Sequence, residues 1–168
     1  MNSGNAEISF VIILKTMGIV KRNIRIFPDF FGDPILGTQK LGEFAVGFGK
    51  KALLFTVGGL GYVGLELLWR GRSHQSMFLA GGSCFLLLGQ LGKRTRLAPV
   101  RALGGAGIIT GVELVVGLMA NRNHGVWDYR SMPLNFKGQI CLCYSLLWVP
   151  LSLCAIAAYE LLDQKISR

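Results

Sequence analysis

Residues 58–71 read GGLGYVGLELLWRG. Gly59, Gly61 and Gly64 satisfy the G-x-G-x-x-G spacing of a dinucleotide-binding turn, and the preceding Leu53-Leu-Phe-Thr-Val57 has the composition of the strand that such a turn follows. A dinucleotide site also needs an acidic residue about 20 positions further on, to hold the ribose. That region here is GGSCFLLLG, residues 81–89, without a carboxylate. The apparent strand and turn therefore merge into one apolar helix whose glycines permit close helix contact and whose single acid is Glu66.

Composition points the same way. Hydrophobic residues make up 51% of the chain and charged residues only 16%, where soluble domains carry about 25% charged residues. No Asp or Glu occurs between Glu66 and Glu113, an interval too long for an ordinary soluble surface. The net charge of +9 is distributed around apolar stretches, at Lys50-Lys51, Lys93 to Arg101 and Lys165 to Arg168. Basic residues so placed suit a lipid bilayer as partner; no aromatic-interleaved or zinc-finger pattern suggests nucleic acid.

Four apolar runs, at about 52–69, 76–92, 102–120 and 139–162, approach the ~20 residues that cross a hydrocarbon core. The expected fold is an all-α, polytopic membrane protein of four transmembrane helices. Short connections favour antiparallel neighbours. Lys50, Lys51, Lys93, Arg94, Arg96, Arg101, Lys165 and Arg168 flank the spans on one side, against Arg70, Arg72, Arg122, Arg130 and Lys137 on the other. That bias places the N- and C-termini in the cytoplasm. Pro150 is expected to free a backbone carbonyl near Leu146 in the fourth span. Residues 1–50 form a separate N-terminal extension, with an interfacial or poorly ordered segment at 8–20 and a loop-like stretch at 26–38, and residues 51–165 form the membrane domain.

Gly64-Leu-Glu-Leu67 recurs 47 positions on as Gly111-Val-Glu-Leu114, each after a glycine-rich approach. An internal repeat of two helices would relate the halves by an axis along the membrane normal. Gly61, Gly64, Gly107 and Gly111 are then the expected helix-packing positions.

A carboxylate inside a span costs roughly 2.5–3.5 kcal/mol on insertion scales and normally marks a site with a partner. Glu66 has Arg70 one helical turn on. Glu113 has no base on its own helix face, and its nearest basic residues are Arg122 and His124. These five, with His74 and Asp128, are the candidate substrate or ion pathway residues. His74 and His124 each lie in a connection downstream of one of the glutamates, and Asp128 has Arg130 or Arg122 as a partner. No catalytic constellation is present, Cys84, Cys141, Cys143 and Cys154 have no metal-ligand spacing, and GQLGKRT at 89–95 lacks the first glycine and the final Ser/Thr of a P-loop. No enzyme activity, metal or cofactor is expected.

The stretches YVGLELLWRGRSHQSMFLAGGSCFLLLG (62–89) and VWDYRSMPLNFKGQICLCYSLLW (126–148) resemble the CmpB-like, type IV family of ABC-transporter permeases, short bacterial membrane proteins. The resemblance runs from Lys50 through about two thirds of the chain. It implies an inner-membrane permease or small transporter subunit moving a small solute or ion, working as a homo-oligomer or with a separate ATPase. Residues 1–49 depart from the family pattern, as does Gln75, where an aromatic usually follows the histidine. The competing expectation is a non-transporting membrane scaffold or regulatory subunit, in which the glutamates only lock helix packing.

Overall fold

The computed structural model describes residues 34–168, with side chains from Glu43 onward. The segment at 8–20 lies outside the described residues. The elements are α1 (Pro34–Arg70), α2 (Gln75–Arg94), α3 (Ala98–Ala120), β1 (Asn135–Phe136), β2 (Ile140–Cys141) and α4 (Leu142–Ile166). The described residues fall into two compact units that divide between Leu53 and Leu54. In the first, the described residues are helical from Pro34, which corrects the loop expected up to residue 38. Proline is tolerated there because the first turn of a helix has no use for its missing N–H. Along this part of α1, Phe44 and Phe48 stack at 6.4 Å.

In the second unit, α1 ends where Gly71 takes φ 69° and its N–H returns to the Leu67 carbonyl at 2.9 Å. This is a left-handed helix stop that glycine adopts at little cost. After a three-residue link, His74 starts α2 by accepting from the Ser76 backbone N–H through Nδ1 at 3.2 Å. Three described helices are long and apolar enough to cross a membrane: Glu43–Arg70, Ala98–Ala120 and Leu142–Ile166. α2 is the exception. It is a 20-residue helix, rich in buried Gly, Ser and Ala, and its small residues lower its hydropathy while letting neighbours come close.

The close approaches are specific. Gly58 of α1 faces Gly81 of α2, while Gly59 lies against Phe78 of α2 and Gly82 against Phe55 of α1. A Cβ at Gly81 would lie 2.8 Å from the Gly58 carbonyl oxygen, and one at Gly82 would meet the Phe55 ring and carbonyl at 2.7 Å. Further along α2, Gly89 lies under the Tyr159 ring and Gly92 against Ile156 of α4. Between α3 and α4, Gly105 abuts the fully buried Ser152, whose hydroxyl donates to the Ala102 and Val149 carbonyls at 3.2 and 2.8 Å. Leu88, Ile109 and Ile156 form the apolar centre of these three helices.

The expected packing positions are corrected here. A Cβ added at Gly61, Gly64, Gly107 or Gly111 meets nothing within 4 Å. Among the described residues, the helix glycines crowded by a neighbour are instead Gly58, Gly59, Gly81, Gly82, Gly89, Gly92, Gly105 and Gly117. Sequence spacing places glycines on a helix, but does not say which face meets a neighbour.

The fourth span also begins later than expected. Gln139 is buried in the loop and Ile140–Cys141 pair antiparallel with Asn135–Phe136, so α4 starts at Leu142. It then runs helical through Pro150 to Ile166.

At the end of the bundle where α2 closes and α3 opens, Arg101 binds three acceptors. It donates to the Gly92 and Thr95 carbonyls, each at 2.7 Å, and to Glu160 at 2.6 Å. Lys93 pairs with Asp163 at 2.8 Å and lies over the Tyr159 ring.

Candidate functional site

At the opposite end, the long connection 121–141 folds over the helices around one buried side chain. Asn121 donates through Nδ2 to the Trp127 carbonyl at 2.6 Å and to Gln139 Oε1 at 3.1 Å, and its Oδ1 accepts from the Val126 N–H at 2.9 Å. Gln139 donates back to the Asn121 carbonyl, and the Trp127 indole donates to the Gln139 carbonyl at 2.8 Å. Asn121 and Gln139 are almost fully buried, so each hydrogen bond satisfies a group that would otherwise be costly. The same clasp holds a segment in which His124, Leu134 and Lys137 all take left-handed φ values, which non-glycine residues avoid.

This cap carries Tyr129 inward. Its hydroxyl donates to Glu113 Oε1 of α3 at 3.0 Å, while the indole of Trp148 in α4 donates to Glu113 Oε2 at 3.1 Å. Burial and the neighbouring Glu113 push the Tyr129 phenol up, so it remains a donor throughout the physiological range. One carboxylate is thus held by neutral donors from two other elements.

Glu66 of α1 is held differently. It pairs with Arg70 and accepts from the Ser73 hydroxyl at 2.6 Å. Arg70 also donates to the Val126 carbonyl at 2.8 Å, tying α1 to the cap, while its buried Nε has no hydrogen-bond partner. Glu66, Arg70, Glu113 and Tyr129 all line one cavity of about 430 Å³ whose other walls are mainly apolar, from Val57 and Gly61 through Leu88 to Val116. Cys84 and Cys154 also face it as free thiols.

Residues 50–167, containing every residue of this cavity, match the model of a family described as "Putative ABC-transporter type IV". The chain belongs to that ABC-transporter type IV family. The comparison with curated proteins finds no match, and neither does that with solved structures. Membership makes the chain a membrane-associated transport-family protein, consistent with its three long apolar helices.

Against the sequence reading of this family member, Glu66, Arg70 and Glu113 come together, whereas the other four candidates do not. Arg122, expected to balance Glu113, is exposed and donates from Nε to the Leu118 carbonyl of its own helix at 3.1 Å. Its position just past the end of α3 puts free carbonyls nearer than any carboxylate. His74 is the α2 cap, and Nε2 of His124 contacts the Lys137 carbonyl at 3.1 Å. Asp128 is exposed and pairs with Arg130 at 2.7 Å. That arginine's side-chain and backbone hydrogen bonds hold its carboxyl down at about 2.

The sequence reading missed Tyr129, Trp148, Tyr62 and Ser73. The available signal was the donor requirement of Glu113, whose helix offers no partner, and Trp148 is an indole donor within the facing span.

Proposed function

We propose that this chain is the membrane-embedded subunit of a transporter, with Glu66 and Glu113 forming the polar part of a solute or ion pathway. In this reading it has four spans, α2 included, both termini in the cytoplasm, and residence in the bacterial inner membrane. It is not itself an enzyme; ATP hydrolysis belongs to a separate partner subunit, and more than one copy assembles in the complex. The observation that carries the reading is the meeting of two carboxylates from different long helices at one largely apolar cavity. Such residues are expensive in a bilayer and face interiors or pathways. The two-helix repeat receives support from equivalent positions: Gly58 and Gly105 both pack tightly, and Glu66 and Glu113 both face the cavity.

The test is isolation of the chain from its native membrane in mild detergent, reconstitution, and measurement of ATP hydrolysis. A co-isolated ATPase whose rate falls in Glu113→Gln, with the complex intact, is the expected result. No associated ATPase, together with normal growth when Glu113→Gln replaces the native chain, refutes it. A second reading, a non-transporting scaffold, draws on the bonds from Tyr129 and Trp148 that make Glu113 a tie between α3, the cap and α4. It requires Glu113→Gln to change stability and assembly without changing hydrolysis.

A further inference from the structure

Beside the cavity lies a groove of about 300 Å³ between α1 and α4, and the two share Tyr62, Glu66, Arg70 and Tyr129 in their walls. Its rim is at the bundle surface: Trp69 is 79% exposed, Leu147 56% and Leu65 48%. Its inner wall is aromatic. Tyr62 and Trp148 have ring centroids 6.4 Å apart, and Tyr129 stacks on Tyr144 at 4.8 Å.

The charges facing this space are few. α1 contributes Glu66 and Arg70, which neutralise each other, and Arg70 is further committed to the Val126 carbonyl. α3 contributes Glu113, whose partners are a phenol and an indole. α2, α4 and the cap contribute no charged side chain to either wall. The lining is therefore complementary to a single positive charge. A bare divalent cation is a poor fit, since hard cations take six or more oxygen ligands and the described residues include no cluster of three His, Cys, Asp or Glu able to hold a metal. Aromatic faces and an apolar wall beside a carboxylate instead suit a cation whose charge is carried on an organic body.

We propose that the cavity and groove together form a binding site for a hydrophobic organic monocation, an amine or quaternary onium ion, which reaches Glu113 sideways from the bilayer between α1 and α4. This rests on the reading that Glu66 and Glu113 line a solute site. The aromatic pairs guide the cation past the Trp69 and Leu147 rim, and Glu113 is its counter-charge.

The test uses the full chain in nanodiscs, with tetraphenylphosphonium and tetraphenylborate, ions of like shape and opposite charge, followed by equilibrium dialysis against empty nanodiscs. Saturable binding of the phosphonium but not the borate is expected, weakened at least tenfold by Glu113→Gln and unchanged by Asp128→Asn in the outer loop. Should Glu113→Gln not fold, Trp148→Phe and Trp148→Leu provide the second measurement. Phenylalanine keeps an aromatic face and retains more binding than leucine. Equal uptake of both ions, or the same affinity in Phe and Leu variants, overturns the proposal. So does an inter-copy disulfide in Trp69→Cys when the chain with native Trp69 binds no phosphonium, which would show a second copy seated on the groove. Coupled ATP hydrolysis without phosphonium binding sinks this inference alone, whereas binding with no associated ATPase and normal growth of Glu113→Gln sinks the transporter reading alone.

Discussion

Replacing Gly58 with alanine and Gly61 with alanine adds the same methyl group to the same helix one turn apart, yet the structure requires opposite outcomes. At Gly58 the new Cβ would fall on the Cβ of Phe85, within 2.8 Å of its Cγ and 3.0 Å from the Gly81 carbonyl oxygen. Phe85 has little freedom to yield, being buried with its ring edge-on to Tyr159 at 5.4 Å. Overpacking of this kind costs about 1–3 kcal/mol, offset by at most about 1 kcal/mol from alanine's better helix propensity. The net expectation is a loss of about 1–2 kcal/mol. At Gly61 no heavy atom lies within 4 Å, so only the propensity term remains and the variant is neutral or up to about 1 kcal/mol more stable. The difference between the variants, about 2 kcal/mol, is roughly a thirtyfold change in the folding equilibrium. Reversible unfolding by SDS titration in mixed micelles, followed by circular dichroism, measures it. If Gly61→Ala loses as much as Gly58→Ala, the assignment of the packing face is wrong.

Asn121→Ala removes three hydrogen bonds and leaves the Val126 N–H and the Gln139 amide short of partners. A loss of about 3 kcal/mol is expected, seen as a lower unfolding midpoint and faster proteolytic cleavage between residues 121 and 141. Arg101→Ala removes the donor from the Gly92 and Thr95 carbonyls at the end of α2 and leaves Glu160 with Arg96 at 4.0 Å. It should cost about 2 kcal/mol, and Arg101→Lys should recover less than half, because a single ammonium cannot reproduce the guanidinium fork. The Asp128 carboxyl should titrate near pH 2 in carbon-detected NMR. Its folded value is depressed, so its contribution is fully present above the ordinary Asp range near 4 and is lost as pH falls through about 2; Arg130→Ala should return the midpoint to near 4.

The fold class was legible because hydropathy and length dominate a membrane helix: α1, α3 and α4 announce themselves as long apolar runs whatever they pack against. The packing was not legible. Gly58 and Gly61 look alike in a one-dimensional string, and their separation into a contact and an open position depends on where α2 lies. The same distinction governs the site. Glu66 and Arg70 were readable as a pair because both belong to one helix four residues apart. The partners of Glu113 were not, because Tyr129 and Trp148 are 16 and 35 residues away. Arg122 looked nearer in sequence, but past the end of α3 its guanidinium meets the Leu118 carbonyl first.

The glycines explain why a cavity exists among four closely spaced helices at all. Gly58 and Gly81 bring the α1 and α2 backbones together, and both also line the cavity. Where a leucine would have kept the helices apart and filled the gap with its own side chain, glycine removes the side chain and leaves the volume to the neighbouring residues. Gly61, on the next turn of α1, lines the same space while touching nothing. One glycine-rich turn therefore closes the helix pair at Gly58 and widens the interior at Gly61. Glu66, a turn and a half further along α1, places its carboxylate at the widened end, beneath the cap that brings Tyr129 to Glu113. Glycines that imitate a nucleotide-binding turn in one dimension thus set the width of a largely apolar chamber with two carboxylates in its wall, and Gly71 ends the helix before Ser73 turns back to hold its glutamate.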